Sequence, residues 1–451
     1  MDDRQNPSLA GTRLSRRHFL HAAGFGAAAV VAAPILSACG SGSSSSKPSN
    51  GSSPVQGGTA DVSAIKSFVP IDAAHAGKGL TVPMGAVLAF TGAGKLYGTV
   101  MSNGMKLANK HIQQLGGPTF KFSFKDHKSG DPQAGVQAVK ELGFAHVPVM
   151  MASYVDDLGA MLPGQAQYKI FTMDGGGGTS TFAQGKPYFW GMRANTPNDA
   201  APGAAKFLTQ KKPDVKKVAL VGWDLGDLDK AIIADLDKTL KKYGLSQAGE
   251  FIPVKVAATD FSSALQKLRG YDMDMVWLST YGDDPGYFMK QYATSGIDKP
   301  VTIFEFTEPA AKIAGSAYDN IYFAYDYFDA NHPDNGWSKI FIDDYRDAYN
   351  DDPDFYAANY YEDTFAMWEC LQRLLKSGGD PKQGTDWDKA LRSQPTFKSV
   401  YGGDQTTAGE IQLGQQTHSV VRRPMSMQLY KNGKSEAQAY FNIDAADFRL
   451  A

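Results

Sequence analysis

The chain of 451 residues contains two cysteines, Cys39 and Cys370, and that scarcity excludes a disulfide framework. It also lacks the short patterns that mark common enzymes: no H-E-x-x-H, no paired C-x-x-C and no G-x-S-x-G elbow. His75, His111, His127, His146, His332 and His418 are scattered without metal-ligand spacing. The segment GAGKL (Gly92 to Leu96) fails as a phosphate loop, because Leu96 follows the lysine where Ser or Thr should hold magnesium and Ala89 stands where the first glycine belongs. Charge of one sign is missing too. Lys+Arg number 45 and Asp+Glu 47, and residues 1–38 carry four Arg and two Asp, so the remainder has a formal charge of −4 and no footprint for nucleic acid. The most apolar run, Ala22 to Ala38, is rich in Ala and Gly and broken by Pro34, which makes it too short and too weak to span a bilayer.

What is present at the N-terminus reads as an export signal. Arg13, Arg16 and Arg17 precede the apolar run, and small residues Ser37 and Ala38 close it. The adjacent pair Arg16 and Arg17 resembles the twin-arginine variant, and Leu36-Ser37-Ala38-Cys39 resembles a bacterial lipobox. That resemblance implies cleavage after residue 38 and a lipid anchor at Cys39, at about 0.8 kcal/mol per buried methylene. Gly40 to Gly58 is almost wholly Gly, Ser, Pro and Asn and cannot offset its ordering entropy by burial, so a flexible tether is expected over 39–78. The chain beyond it is long enough for roughly two domains of about 150 residues each. With Cys39 acylated no internal disulfide is possible, and core packing alone must stabilise the body. Cys370 lies in the apolar helical stretch YYEDTFAMWECLQRLL and reads as a buried, inert thiol.

From Leu80 the chain alternates short apolar runs with amphipathic helical patterns. Val82–Phe90 reads as a strand and Gly98–Gly117 as a helix; Phe120–Asp126 alternates strictly, as a strand near a sheet edge should. Asp131 is an expected N-cap with Pro132 at the first helical position. Val147–Ala152, a helix near Leu158–Tyr168, and Lys169–Met173 continue the series. A second series opens with Val215–Trp223, followed by a helix over Asp227–Gly244, Met273–Ser279, a helix near Pro285–Ser295, and Pro300–Phe306. Trp337–Lys376 is strongly helical, and Ser426–Lys434 is strand-like with an Asn-Gly turn. The fold class is α/β with two Rossmann-like sheets and a crossover near Ala194 to Pro197.

Three stretches in the correct order resemble the type I periplasmic binding proteins of the branched-chain amino acid (Leu/Ile/Val) family, the solute receptors of ABC importers. They are AFTGAGKLYGTVMSNGMKLANKHIQQLGG, FKDHKSGDPQAGVQAVKELG and ATDFSSALQKLRGYDMDMVWLS, the last with Thr259 and Asp260 capping a short helix. The resemblance implies two lobes joined by three hinge crossovers, lobe 1 from 79–196 plus 328–415 and lobe 2 from 197–327 plus 416–451, with ligand held between them. Small molecules bind beyond the carboxyl ends of strands in open α/β sheets, which points to the same cleft.

The first lobe's share of that cleft is Thr91, Gly92, Ala93 and Tyr97, then Ser153 and Tyr154, then Asp174, Gly175, Gly176, Gly177, Gly178 and Thr179. In the family such positions receive a ligand carboxylate through hydroxyls and backbone N–H groups, and glycine permits close backbone approach; the plainer reading of Gly175 to Gly178 is a loose turn. The second lobe offers Trp223, Asp224, Asp227, Tyr281, Asp283, Glu305 and Phe306. Their aromatic faces suit an apolar or cationic ligand, and Glu305 or Asp283 could pair with an ammonium. Two departures argue against an α-amino acid. Asp156 and Asp157 follow Ser153 and would repel a carboxylate, and Leu228 stands where the family often has a tyrosine. An amide, a polyamine or an aromatic solute stays open.

The expectation is a monomeric extracytoplasmic solute-binding lipoprotein on the outer face of the cytoplasmic membrane. It would need no cofactor and no metal, would not be an enzyme, and would deliver a small polar molecule to an ABC permease. A ligand sensor of the same fold and an exported α/β enzyme are the alternatives, since fold does not fix function.

Overall fold

The computed structural model describes residues 61–451 except 93, 130, 154–158, 178–182, 194–196, 225, 256 and 326–327. The export signal, Arg16, Arg17, Cys39 and the Gly/Ser-rich segment therefore lie outside the described residues. The tether expectation needs correction at its C-terminal end. Residues 61–78 pack on the body: Ile65 and Val69 are buried, the Asp72 amide donates to Gln372 Oε1 (2.7 Å), and Trp368 Nε1 donates to the Ala76 carbonyl (2.8 Å). The segment DVSAIKSFV carries enough apolar residues to offset its ordering, unlike the Gly/Ser run before it.

The first series folds as β1 (Thr81–Leu88), α1 (Lys95–Gln114), β2 (Thr119–Asp126), α2 (Pro132–Phe144), β3 (Val149–Ala152), α3 (Leu162–Tyr168), β4 (Phe171–Asp174) and β5 (Phe189–Gly191). Its strands form one sheet in the order β2-β1-β3-β4-β5, every pairing parallel. The strictly alternating β2 stands at an edge, where one face meets solvent, and β1, β3 and β4 read as apolar runs because both faces are covered. Asp131 caps α2 through the amides of Gln133 and Ala134, with Pro132 in the first turn.

The second series is α4 (Pro197–Lys211), β6 (Lys217–Trp223), α5 (Asp227–Lys242), β7 (Ser246–Gln247), β8 (Ile252–Val254), α6 (Ser262–Leu268), β9 (Met275–Ser279), α7 (Asp284–Tyr292), β10 (Val301–Ile303), α8 (Glu308–Ala314) and β11 (Ile321–Tyr325). The C-terminal region adds α9 (Gly336–Tyr349), α10 (Phe355–Lys376), α11 (Gly384–Ser393), β12 (Thr396–Gly403), β13 (Ala408–Leu413), β14 (Val420–Arg422), β15 (Pro424–Lys431), β16 (Lys434–Asn442) and β17 (Arg449–Leu450). A second sheet runs β17-β16-β15-β11-β10-β9-β6-β7, with β8 also on β6; β12, β13 and β14 form a small third sheet. The chain thus leaves the first sheet after β5, leaves the second after β11, and re-enters the second between β14 and β15.

The helical stretch expected over Trp337–Lys376 is two helices. Asn350 takes a left-handed conformation (φ 52°) at the end of α9, and Asp354 caps α10 by accepting from the Ala357 amide at 2.8 Å. The α10 helix is buried along nearly its whole length and crosses α1 closely: a Cβ on Gly104 would stand 2.2 Å from the Ala357 carbonyl oxygen. Asn432 and Gly433, both at positive φ, form the turn between β15 and β16. Cys370 is fully buried in α10, and burial pushes its thiol up to about 12, which fits the inert reading.

Candidate functional site

Two loops from the first sheet and two from the second converge beside the start of α10. On the first side, the turn after β1 is tied to the turn after β2. Thr91 donates its hydroxyl to Asp126 Oδ2 (2.5 Å), the Phe90 amide donates to Asp126 Oδ1 (2.9 Å), and Ser129 donates to the Thr91 carbonyl (2.6 Å). Burial opposes ionisation of Asp126, but these hydrogen bonds outweigh it and hold the carboxyl below its ordinary range. Thr91 thus spends its donor on the protein while remaining exposed at the rim.

Ser153 is fully buried. Its Oγ lies 2.9 Å from His127 Nε2, and burial lowers the His127 pKa, so the imidazole is neutral. Asp174 is buried as well; its Oδ1 accepts from the Gly176 amide (2.9 Å) and its carbonyl accepts from the Met192 amide (2.9 Å). The need for glycine at 175 is steric. A Cβ there would stand 2.2 Å from Asp363 Oδ2 and 3.2 Å from the Tyr360 ring, so the close approach is to the protein's own side chains. Ser153 and Asp174 form the floor of the first lobe's contribution, below its surface.

Arg193, two residues beyond β5, was not among the residues the sequence singled out, and it occupies the centre. Its guanidinium is 1% exposed and reaches Tyr356 Oη (3.1 Å), the Gly176 carbonyl (3.3 Å) and Glu305 Oε1 (3.5 Å). It also lies 5.0 Å from the Phe355 ring centroid and 4.9 Å from that of Tyr356, a cation–π arrangement. Tyr97, in the first turn of α1, packs its ring 5.1 Å from Tyr356. Burial pushes the Tyr97 phenol well up; the charges of Glu305, Asp283 and Asp354 push it further, and Arg193 opposes them. Charges from both lobes therefore act on one hydroxyl.

On the second side, Glu305 follows β10 and accepts from the Gly282 amide at 3.2 Å, and Thr307 donates to the Gly282 carbonyl (2.9 Å) while capping α8. Trp223, at the end of β6, packs 4.8 Å from the Tyr281 ring and donates its indole N–H to Asp284 (2.7 Å); Tyr281 packs 5.3 Å from Phe304. Asp283 is exposed beside them. Phe306 faces elsewhere, into a cluster with Phe323 (5.1 Å), Tyr430 (5.0 Å) and Tyr318 (5.9 Å). Asp227 opens α5, and nothing is described of its side chain; Ala93, Tyr154 and Thr179 lie outside the described residues.

Of the residues singled out from sequence, the structure brings Tyr97, Glu305, Asp283, Tyr281 and Trp223 to one region. It adds Arg193 and, more than a hundred residues further along the chain, Phe355 and Tyr356. No local pattern marks Arg193, and Phe355 and Tyr356 fell inside a stretch read as helical throughout, whereas Asp354 caps a helix that begins at Phe355.

The family model of periplasmic binding proteins matches residues 81–434. A search of curated protein sequences finds no match. Among solved structures, the leucine-binding protein LivK of Thermotoga maritima has a TM-score of 0.67 at 15% identity, over 80% of this chain and 98% of its own. The branched-chain amino acid transporter substrate-binding protein LivJ of Streptococcus pneumoniae, solved with isoleucine, has a TM-score of 0.63 at 21% identity, over 79% and 99%. An ABC transporter solute-binding protein of R. palustris, solved with 4-hydroxybenzoate, has a TM-score of 0.67 at 21% identity, over 80% and 97%. The two parallel-sheet lobes, the chain crossings between them and the matched family model together place this chain in the type I periplasmic binding protein family.

Proposed function

We propose that the chain is the extracytoplasmic solute-binding component of an ABC importer, closing two lobes around a small polar molecule and presenting it to a membrane permease. One observation carries the reading: Arg193 and Tyr356 on the first side meet Glu305 and Gly282 on the second, so polar groups from both lobes converge on one place. A solute there touches both lobes only when they are closed, and binding shifts the population toward closure. Structures of similar fold hold isoleucine or 4-hydroxybenzoate, which supports a ligand among amino acids, amides and aromatic acids. On this reading the hinge lies where the chain passes between the sheets, after β5, after β11 and just before β15, and the lobes are 79–196 plus 328–415 and 197–327 plus 416–451, with the last boundary shifted to just before β15 because β14 pairs with β13.

A thermal-shift screen over amino acids, amides, polyamines and aromatic acids tests this. A true ligand at about 100 times its Kd adds about 2.7 kcal/mol of stability. If no small molecule stabilises the protein, the reading fails; if a bound solute is turned over instead of recovered unchanged, the protein is an exported enzyme.

The reading includes a lipid anchor at Cys39, holding the protein on the outer face of the cytoplasmic membrane, and a monomeric body. Cys39→Ala is expected to release the protein from the membrane fraction, and continued membrane association of that variant would contradict the anchor. Co-purification with a permease supports import, whereas co-purification with a kinase or receptor would mark a sensor.

A further inference from the structure

Helix α11, the end of β5 and the turn between β13 and β14 meet around one histidine. His418, in that turn, is 8% exposed and stacks its ring on Trp190, with centroids 4.4 Å apart and planes inclined by 22°. Its Nδ1 lies 2.8 Å from the Lys186 carbonyl oxygen and its Nε2 3.0 Å from Arg392 Nη2. A carbonyl only accepts and a guanidinium only donates, so Nδ1 carries the proton, Nε2 presents its lone pair, and the ring is neutral. Arg392 is itself fixed: it donates from Nε to Asp388 Oδ2 (2.7 Å) and lies 4.9 Å from the centroid of the Trp190 ring, while Trp190 donates its indole N–H to Asp388 Oδ1 (2.8 Å).

A second proton on this ring would set Nε2–H against the N–H of a guanidinium, and neither partner of the ring can reverse its role. Other histidines have partners that tolerate the proton. His75, His111 and His332 lie 3.0, 2.9 and 2.7 Å from the carboxylates of Asp72, Asp344 and Asp329, and His127 faces the Ser153 hydroxyl, which can turn from donor to acceptor. Burial lowers the His418 pKa from its ordinary 6.5 and Arg392 lowers it further, against the Lys186 carbonyl and Asp388; from α11, Arg392 and Asp388 are the charged side chains that act on it among the described residues.

The position of this ring in the fold gives its protonation a consequence. The Gly191 amide donates to the His418 carbonyl (2.8 Å), and Gly191 forms a parallel bridge with Ser419. Further along the same two segments, Arg423 donates to the Met192 carbonyl (3.1 Å). The chain leaving β5 for the second sheet and the chain returning to that sheet before β15 therefore run side by side, and His418 stands at the root of both.

We propose that His418 is an acid-released clamp on the hinge: its neutral ring holds the first and last crossings against α11, and protonation expels the ring from Arg392 and frees both crossing strands. A basic group lowered by folding contributes stability that is complete above its ordinary value and is lost as pH falls below the folded one, so release comes with acid. The clamp couples movement of the lobes to the acidity of the medium. It rests on the solute-binding reading only in treating the crossings as a hinge, and its test needs no solute, so a thermal screen without a hit and a failed clamp are separate results.

Hydrogen exchange of the full chain at pH 7.5 and pH 4.5, read by mass spectrometry and corrected for the intrinsic pH dependence of exchange, tests the proposal. At pH 4.5 the segments 189–193 and 418–425 are expected to exchange about tenfold faster than at pH 7.5, with β9 unchanged. His418→Asn keeps a donor for Lys186 and suits the left-handed backbone at that position (φ 53°), and the Arg392→Gln amide oxygen can accept from a protonated ring; each should hold the change below about twofold. No acid-induced loss in the native chain, an equal loss in either variant, a loss shared by β9, or a loss confined to 414–418 that leaves 189–193 and 423–425 protected would each overturn the proposal.

Discussion

Arg193 and Glu305 meet at the centre of the proposed cleft. The desolvation of a guanidinium 1% exposed and a carboxylate 5% exposed is offset in part by their pairing and by Tyr356, with the Gly176 carbonyl adding to the first and the Gly282 amide to the second. Removing one partner strands the other charge. Arg193→Gln is expected to destabilise the protein by about 3 kcal/mol in urea denaturation, and adding Glu305→Gln should recover most of that loss. If the double variant is as unstable as the sum of the singles, the two groups do not act as a pair. The N-cap of α10 gives a pH test. Burial raises the Asp354 carboxyl from its ordinary value to about 6, with Asp351 adding repulsion and the Ala357 amide opposing. A carboxyl raised in the folded state contributes stability that is complete below about pH 4 and is lost as pH rises through about 6. Asp354→Asn keeps the cap and removes the titration, so from pH 4 to pH 7 the variant should lose about 2 kcal/mol less than the native chain. Equal losses in both would show that Asp354 ionises without penalty.

At the scale of elements, periodicity made most of the fold legible. The alternating β2, the Asp131-Pro132 start of α2 and the Asn432-Gly433 turn are local signals, and each appears where its residues placed it. What sequence reading missed depends on encounters between distant segments. Arg193, Glu305 and Tyr356 meet because the segment after β5, on one sheet, and the segment after β10, on the other, come together at the start of α10, and no spacing encodes that. Ser153 read as a cleft hydroxyl from its loop position, and its side chain is buried with Oγ against His127, from the end of another strand. Phe306 read as cleft wall, and the cluster of Tyr318, Phe323 and Tyr430 draws it into its own lobe. The contact between α1 and α10 offers an element-scale prediction. With the Ala357 carbonyl only 2.2 Å from a Cβ on Gly104, Gly104→Ala must push the helices apart, at about 1–3 kcal/mol, and should lower the melting temperature. An unchanged melting point would mean that the two helices yield at this crossing without cost.

At the scale of the whole molecule, the parts that hold the lobes together are the crossings, and Arg423 ties them. It is fully buried, donates to the Met192 carbonyl beside the first crossing (3.1 Å), pairs with Glu362 (2.6 Å) and Asn359 (2.6 Å) of α10, and itself leads into β15. On the proposed reading a hinge fixed to α10 in this way leaves rotation of one lobe against the other as the soft motion, and opening would part Arg193 from Glu305. The direct test is small-angle X-ray scattering of the protein with and without the solute found in the thermal screen. The account predicts a smaller radius of gyration on binding, with the change lost in Glu305→Gln. A tightly bound solute that leaves the scattering curve unchanged would contradict it.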